Sequence, residues 1–230
     1  MKTLYLLLNI GCICVPLIYS FNKKMNFIKH IKSLSIAIIT VALFYILWDV
    51  WFTNSGVWGF NSNYYVGFTI FEMPFEEYLF FFCIPYASIF IHYSLDYFFP
   101  KLHLNKQITF LLSLLIVILS SVVLAYHFDK LYTRVNFILL IICIALGWVF
   151  NKQLLSRFYI AYLFILIPFI IVNGILTGSF IEEPVVWYNN LENLNIRVGT
   201  IPIEDFGYAF SLLFFSIFIF ELIKERKLND

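Results

Sequence analysis

Seven apolar runs occupy most of the chain, near residues 3–21, 34–52, 75–95, 107–126, 134–150, 158–176 and 203–223, each at or near the length that crosses a bilayer. Hydrocarbon offers the backbone no hydrogen-bond partner, so runs of this length dictate helices that satisfy their own amides. The expected fold class is an all-α integral membrane protein with seven transmembrane helices. Composition agrees: 62% of residues are hydrophobic and 13% charged, against about a quarter charged in a soluble domain. Pro16, Pro85 and Pro168 fall inside runs, where kinks are expected. The first run follows Lys2 and could be read as a cleaved leader, but no A-x-A-like site precedes Phe21 and four lysines follow, so a retained span is expected.

Charge sets the orientation. Lys23, Lys24, Lys29, Lys32, Lys101, Lys106, Lys152, Arg157, Lys224, Arg226 and Lys227 fall on one side of the bundle, and only Lys2, Lys130, Arg134 and Arg197 on the other. The positive-inside rule places the N-terminus outside and the C-terminus in the cytoplasm, in a multi-pass protein of the cell inner membrane. A net charge of +1 without basic clusters gives no reason to expect nucleic acid.

The chain repeats itself. Pro74, Phe75, Glu76 and Glu77 correspond to Pro202, Ile203, Glu204 and Asp205 at an offset of 128 residues, and Ser88–Ile91 matches Ser216–Ile219 identically at the same offset. Two three-helix repeats, 1–100 and 131–230, are expected, joined by a linker helix within 101–130. One linker helix returns the chain to its starting side, so the repeats are parallel and hold equivalent residues at equal depth.

Each Pro-x-Glu-acid motif opens a membrane helix. Proline at the first helical position and carboxylates in the first turn suit any helix start. At the edge of hydrocarbon, however, an ionisable group costs about 2–3 kcal/mol and normally faces the bundle interior, so four symmetry-paired acids point to function. Neighbouring helical residues diverge by about 100°, so one acid of each motif is expected to face a shared cavity. Which one is left open.

The loops preceding the motifs are long and rich in tryptophan and tyrosine. The first includes Asp49, Trp58 and Asn61; the second includes Glu182, Glu183, Trp187, Tyr188 and Asn189. Asn61 and Asn189 each stand 13 residues before their motif's proline. Such loops are lids over a site or anchors at the membrane interface. Gly174 and Gly178 have helix-packing spacing but sit at a helix end, as for local packing or a turn. Tyr78, Phe80, Phe81, Phe82, Phe206, Tyr208 and Phe210 follow the motifs and either fill the core or line a cavity able to stabilise a cation. His30, His92, His103 and His127 read as interfacial, and Cys12, Cys14, Cys83 and Cys143 as small hydrophobes, so no metal is expected. There is no G-x-G-x-x-G fingerprint or P-loop, so no cofactor is expected. The last run has no mid-membrane lysine for a retinal Schiff base.

Taken together, Trp58 to Asn61, Pro74 to Phe82 and Glu182 to Asn189 resemble the lycopene cyclase domain family, in the fused form that joins two small membrane subunits. The resemblance spans essentially the whole chain. It implies non-redox cyclisation of the linear ends of lycopene to β-ionone rings, giving γ-carotene and β-carotene. It also implicates Pro74, Glu76, Glu77, Pro202, Glu204 and Asp205 in activity. The implied partners are lycopene, other membrane-soluble carotenoids and the bilayer, with association with other carotenoid enzymes a further expectation. The chemistry suits the residues. An alkene is protonated by a neutral carboxylic acid, and a ring proton is later removed by a carboxylate or water. Asp49, Glu182 and Glu183 are further candidates for these roles, with Trp58, Trp187 and Tyr188 shaping or covering the site. The competing expectation is a small sugar transporter of the SWEET type, which shares the plan of three helices, one and three; a membrane scaffold is a third.

Overall fold

A computed structural model describes the backbone of residues 1–229 and the side chains of residues 1–224. Seven α-helices form among the described residues: α1 (Leu4–Ser20), α2 (Ile31–Asn54), α3 (Phe75–Phe98), α4 (Lys106–Tyr126), α5 (Leu131–Phe150), α6 (Lys152–Leu176) and α7 (Ile203–Asn229). Six are long and apolar enough to cross a membrane; α1, with 17 residues, is a shorter apolar helix. The bundle is therefore that of an all-α membrane protein.

Several helices begin earlier than the apolar runs. Helix α6 starts at Lys152 rather than near 158, because charged residues in a first turn end an apolar run without ending a helix. Asn151 caps that turn by accepting from the Leu154 amide at 2.9 Å, and Arg157 in the next turn reaches Asp96 of α3 at 2.6 Å. Asn105 caps α4 in the same way through Ile108 at 2.8 Å. Pro16, Pro85 and Pro168 lie inside α1, α3 and α6. Pro74 is not the first helical residue of α3 but its cap, with φ −64° and ψ 147°, a conformation its ring already favours. His92, expected at an interface, is buried in α3.

Helix α3 packs on α1, α2, α6 and α7, and α7 packs on α2, α3 and α5, so these two motif-bearing helices form the centre. The linker α4 lies at the edge against α5, with 17% of its apolar window buried against 56% for α7. Hydroxyl pairs tie neighbouring helices together: Ser20 to Tyr86 at 2.7 Å, Tyr45 to Ser211 at 2.8 Å and Ser113 to Tyr159 at 2.7 Å. In a bundle surrounded by lipid each such bond contributes on the order of 0.6–2 kcal/mol. The outward faces present Ile36, Leu47, Leu115 and Leu163, as a lipid-facing surface requires.

The long loops fold into short strands: β1 (Trp58–Phe60), β2 (Thr69–Ile70), β3 (Met73–Pro74), β4 (Val186–Tyr188), β5 (Arg197–Val198) and β6 (Ile201–Pro202). Strands β2 and β3 form a hairpin before α3, and β5 and β6 form its counterpart before α7. Strand β1 pairs antiparallel with β4, so the two loops meet. Its register sets Gly59 opposite Trp187, residues that are themselves 128 apart, so the pseudo-twofold relation between the halves passes through this pair. A Cβ on Gly59 would lie 2.3 Å from the Trp187 indole, and only glycine permits that approach.

Candidate functional site

The two motifs are built alike, and within each the two acids are sent to different tasks. Glu76 turns back to its own loop, where its Oε1 accepts from the Val66 amide at 2.8 Å. Glu204 does the same with the Leu194 amide at 2.7 Å, and also accepts from the Thr133 hydroxyl at 2.7 Å. The backbone carbonyls of the same glutamates are held from the first helix of each half. Asn9 donates to the Glu76 carbonyl at 2.8 Å and Asn136 to the Glu204 carbonyl at 2.7 Å. Glu76 and Glu204 thus fasten the loops to the helix starts.

One residue further on, about 100° around each helix, Glu77 and Asp205 face inward. Both line a single cavity of about 510 Å³ enclosed by α1, α3, α6 and α7. Its walls are apolar and aromatic, including Phe80, Phe169, Ile165 and Leu212, while Asp49 of α2, Trp58 of β1 and Tyr188 of β4 complete the acidic end. Glu77 and Ile91 both line it from α3, so the cavity extends about 21 Å along that helix at ~1.5 Å per residue. Leu7 and Val15 of α1 and Ile171 of α6 line it and are also more than half exposed, so the cavity opens sideways between these two helices.

The inward acids have different surroundings. Tyr5 of α1 donates to Glu77, and Tyr132 of α5 donates to Asp205 Oδ1 at 2.6 Å. Asp205 Oδ2 receives two more bonds, from Asn173 of α6 at 2.8 Å and from the Tyr188 hydroxyl at 2.9 Å. Burial and the Asp205 carboxyl raise the Tyr188 phenol well above its ordinary range, which keeps it a donor. Near Glu77 the counterparts of Asn173 and Tyr188 are Tyr45, which bonds to Ser211, and Phe60, which has no hydroxyl. Asp49 stands there instead, within hydrogen-bonding reach of Glu77 and accepting from the Trp58 indole at 2.5 Å. Its counterpart in the second half is Thr177.

Other loop residues are placed outside the cavity lining. Asn61 and Asn189 close local turns, accepting from the Asn63 amide at 3.0 Å and the Leu191 amide at 3.1 Å. Glu183 accepts from Asn61 at 2.8 Å, Glu182 is exposed, and Trp187 lies over Gly59 with 44% of its surface exposed. The spacing from Gly174 to Gly178 is a turn, with Gly178 at φ +114°. Tyr5, Tyr132 and Asn173 escaped the sequence reading as site residues. The signal was present as Tyr5 with Asn9 and Tyr132 with Asn136, but these pairs repeat at 127 rather than 128 residues.

The model of a known family, described as lycopene cyclase, matches residues 2–95 and again residues 129–223. The chain belongs to the lycopene cyclase family. Two matches to one model also establish the repeat. Membership makes the protein an enzyme of carotenoid cyclisation, with carotenoid substrates and a membrane environment, and does not favour the sugar-transporter reading. No curated protein and no solved structure matches the chain. The cavity between the two halves has apolar walls and carboxyls at one end.

Proposed function

We propose that the protein is a lycopene β-cyclase, an intramolecular lyase or isomerase that converts lycopene ends to β-ionone rings, giving γ-carotene and then β-carotene. The observation supporting this most directly is that one carboxyl from each repeat, Glu77 and Asp205, lines the same apolar cavity. Cyclisation without net redox change needs one proton delivered and one removed, with the carbocation between them kept from water. An end of the polyene lies against the two acids, and the remainder passes between α1 and α6 toward lipid. The aromatic walls stabilise the cation by up to about 2 kcal/mol per well-placed ring.

In this reading Glu77 and Asp205 act on the substrate, Glu76 and Glu204 hold the loops, and Trp58 and Tyr188 cover the acidic end. All seven helices span the inner membrane as two parallel three-helix repeats. Helix α1 is included, since its 17 residues extend about 26 Å against a hydrocarbon core of ~30 Å. The repeats are residues 1–100 and 131–230, with 101–130 as linker, and the Lys and Arg distribution supports an external N-terminus and a cytoplasmic C-terminus. Expression in a lycopene-accumulating bacterium tests the function. Monocyclic and bicyclic carotenes with β rings are expected by chromatography, and unchanged lycopene in cells containing the protein in their membranes would refute it.

A further inference from the structure

We propose that Asp49 is a third carboxyl of the reaction centre, sharing one proton with Glu77, so that this pair is the proton donor and Asp205 the acceptor. The inference rests on the lycopene-cyclising reading of the cavity. It comes from a difference in hydrogen-bond wiring that the repeat symmetry makes visible.

Asp205 accepts three bonds from neutral donors, Tyr132, Asn173 and Tyr188, distributed over both its oxygens. An ionised carboxylate is acceptor-only and fits that set; a carboxylic acid would need an acceptor for its own proton. The surroundings of Glu77 are of the opposite kind. Tyr5 supplies one donor, and the next neighbour is the carboxyl of Asp49. Asp49 receives the Trp58 indole on Oδ1, while its buried Oδ2 and the neighbouring Thr53 hydroxyl both lack a hydrogen-bond partner among the described residues. Two carboxyl groups in hydrogen-bonding reach are two acceptors until one of them holds a proton, and apolar burial makes double ionisation costly. The pair therefore holds a proton at rest, bridging Asp49 and Glu77.

The reaction then balances. The Glu77 proton bonds to the terminal alkene, whose π electrons form the new C–H bond and leave a tertiary cation. The π electrons of the neighbouring alkene close the ring by a C–C bond, moving the positive charge into the ring. The Asp205 carboxylate takes a ring proton, and the C–H electron pair becomes the ring double bond. Product and substrate are isomers, and one proton returning from Asp205 to the pair resets the site.

Infrared spectroscopy of the protein in lipid nanodiscs at neutral pH, in H2O and D2O, tests the pairing. The wild type is expected to show a protonated-carboxyl C=O band that shifts in D2O. That band is absent in both Asp49→Asn and Glu77→Gln, since either amide donates to the remaining carboxyl and leaves it ionised, and it persists in Asp205→Asn. Asp49→Glu, which keeps the carboxyl, restores the band and shows that the site folds. In turnover assays Asp49→Asn slows cyclisation by at least about tenfold. The double variant Asp49→Asn with Glu77→Gln is no slower than Glu77→Gln alone, as coupled groups require. A band that survives Asp49→Asn, or that vanishes only in Asp205→Asn, overturns the pairing. The band is read without substrate, so a wild type that left lycopene unchanged would defeat the functional reading while the band still decided the pairing.

Discussion

The two halves of the molecule share their helix order, their hairpins and the bonds that fix their motifs, yet they differ where they meet the cavity. Beside α1 and α6, Phe60, Phe80 and Leu176 line the open space of the cavity. The positions 128 residues away hold Tyr188, Tyr208 and Trp48, and Tyr208 lies 5.2 Å from Tyr45, 4.8 Å from Trp48 and 6.2 Å from Trp58 between ring centres. Duplication supplied the scaffold twice, while aromatic side chains filled the region around α2 and α7. Two equivalent acids were thereby drawn into one chamber in unlike company, the asymmetry on which the proposed donor and acceptor roles rest.

Replacing the inward acids tests that comparison most severely. Glu77→Gln and Asp205→Asn are each expected to lower cyclisation by about 10²–10⁴-fold, measured as carotene formed per unit of membrane protein. Glu76→Gln and Glu204→Gln should instead reduce stability by about 0.5–1.5 kcal/mol in detergent unfolding, because the Val66 or Leu194 amide is left with a weaker acceptor. A motif in which the outward acid proved the more damaging to turnover of folded protein would reverse the division of labour.

The sideways opening offers a second test. Nothing lies within 4 Å of a Cβ built on Gly11, which lines the cavity on α1, so Gly11→Trp is expected to be accommodated and to narrow the gap to α6. Weaker lycopene binding by about tenfold, or ~1.4 kcal/mol, is expected, with kcat changed less than KM. The smallest effect is at Tyr188→Phe, which gives Asp205 the hydroxyl-free neighbour that Phe60 presents on the other side. Loss of one of three donors costs about 0.5–1.5 kcal/mol, read as a several-fold fall in turnover.

Much of the helical layout was legible because lipid imposes a simple rule, and each apolar run became a helix. Its ends were less legible, as Lys152 and Arg157 show: charge in the first two turns of α6 ends hydropathy before it ends hydrogen bonding. The acidic motifs were visible as a repeat, but the rotation that turns Glu77 inward and Glu76 toward Val66 is set by packing that periodicity does not encode. Tyr5 and Tyr132 were hidden by a one-residue change in offset between the first helices and the rest of the repeats. Asp49 was read as a loop acid but lies on α2, and its nearness to Glu77 depends on where α2 meets α3.

The contact between Gly59 and Trp187 has a consequence for descent. A position on a pseudo-twofold axis faces its own duplicate, so in an ancestral pair of identical halves it would face itself. Two tryptophans there would claim the same volume, and two glycines would leave it vacant. A flat indole against a bare backbone is a solution that only unlike halves can reach. Once it was adopted, neither half could pair with a second copy of itself and keep this contact, and joining them in one chain guarantees that each meets its proper mate.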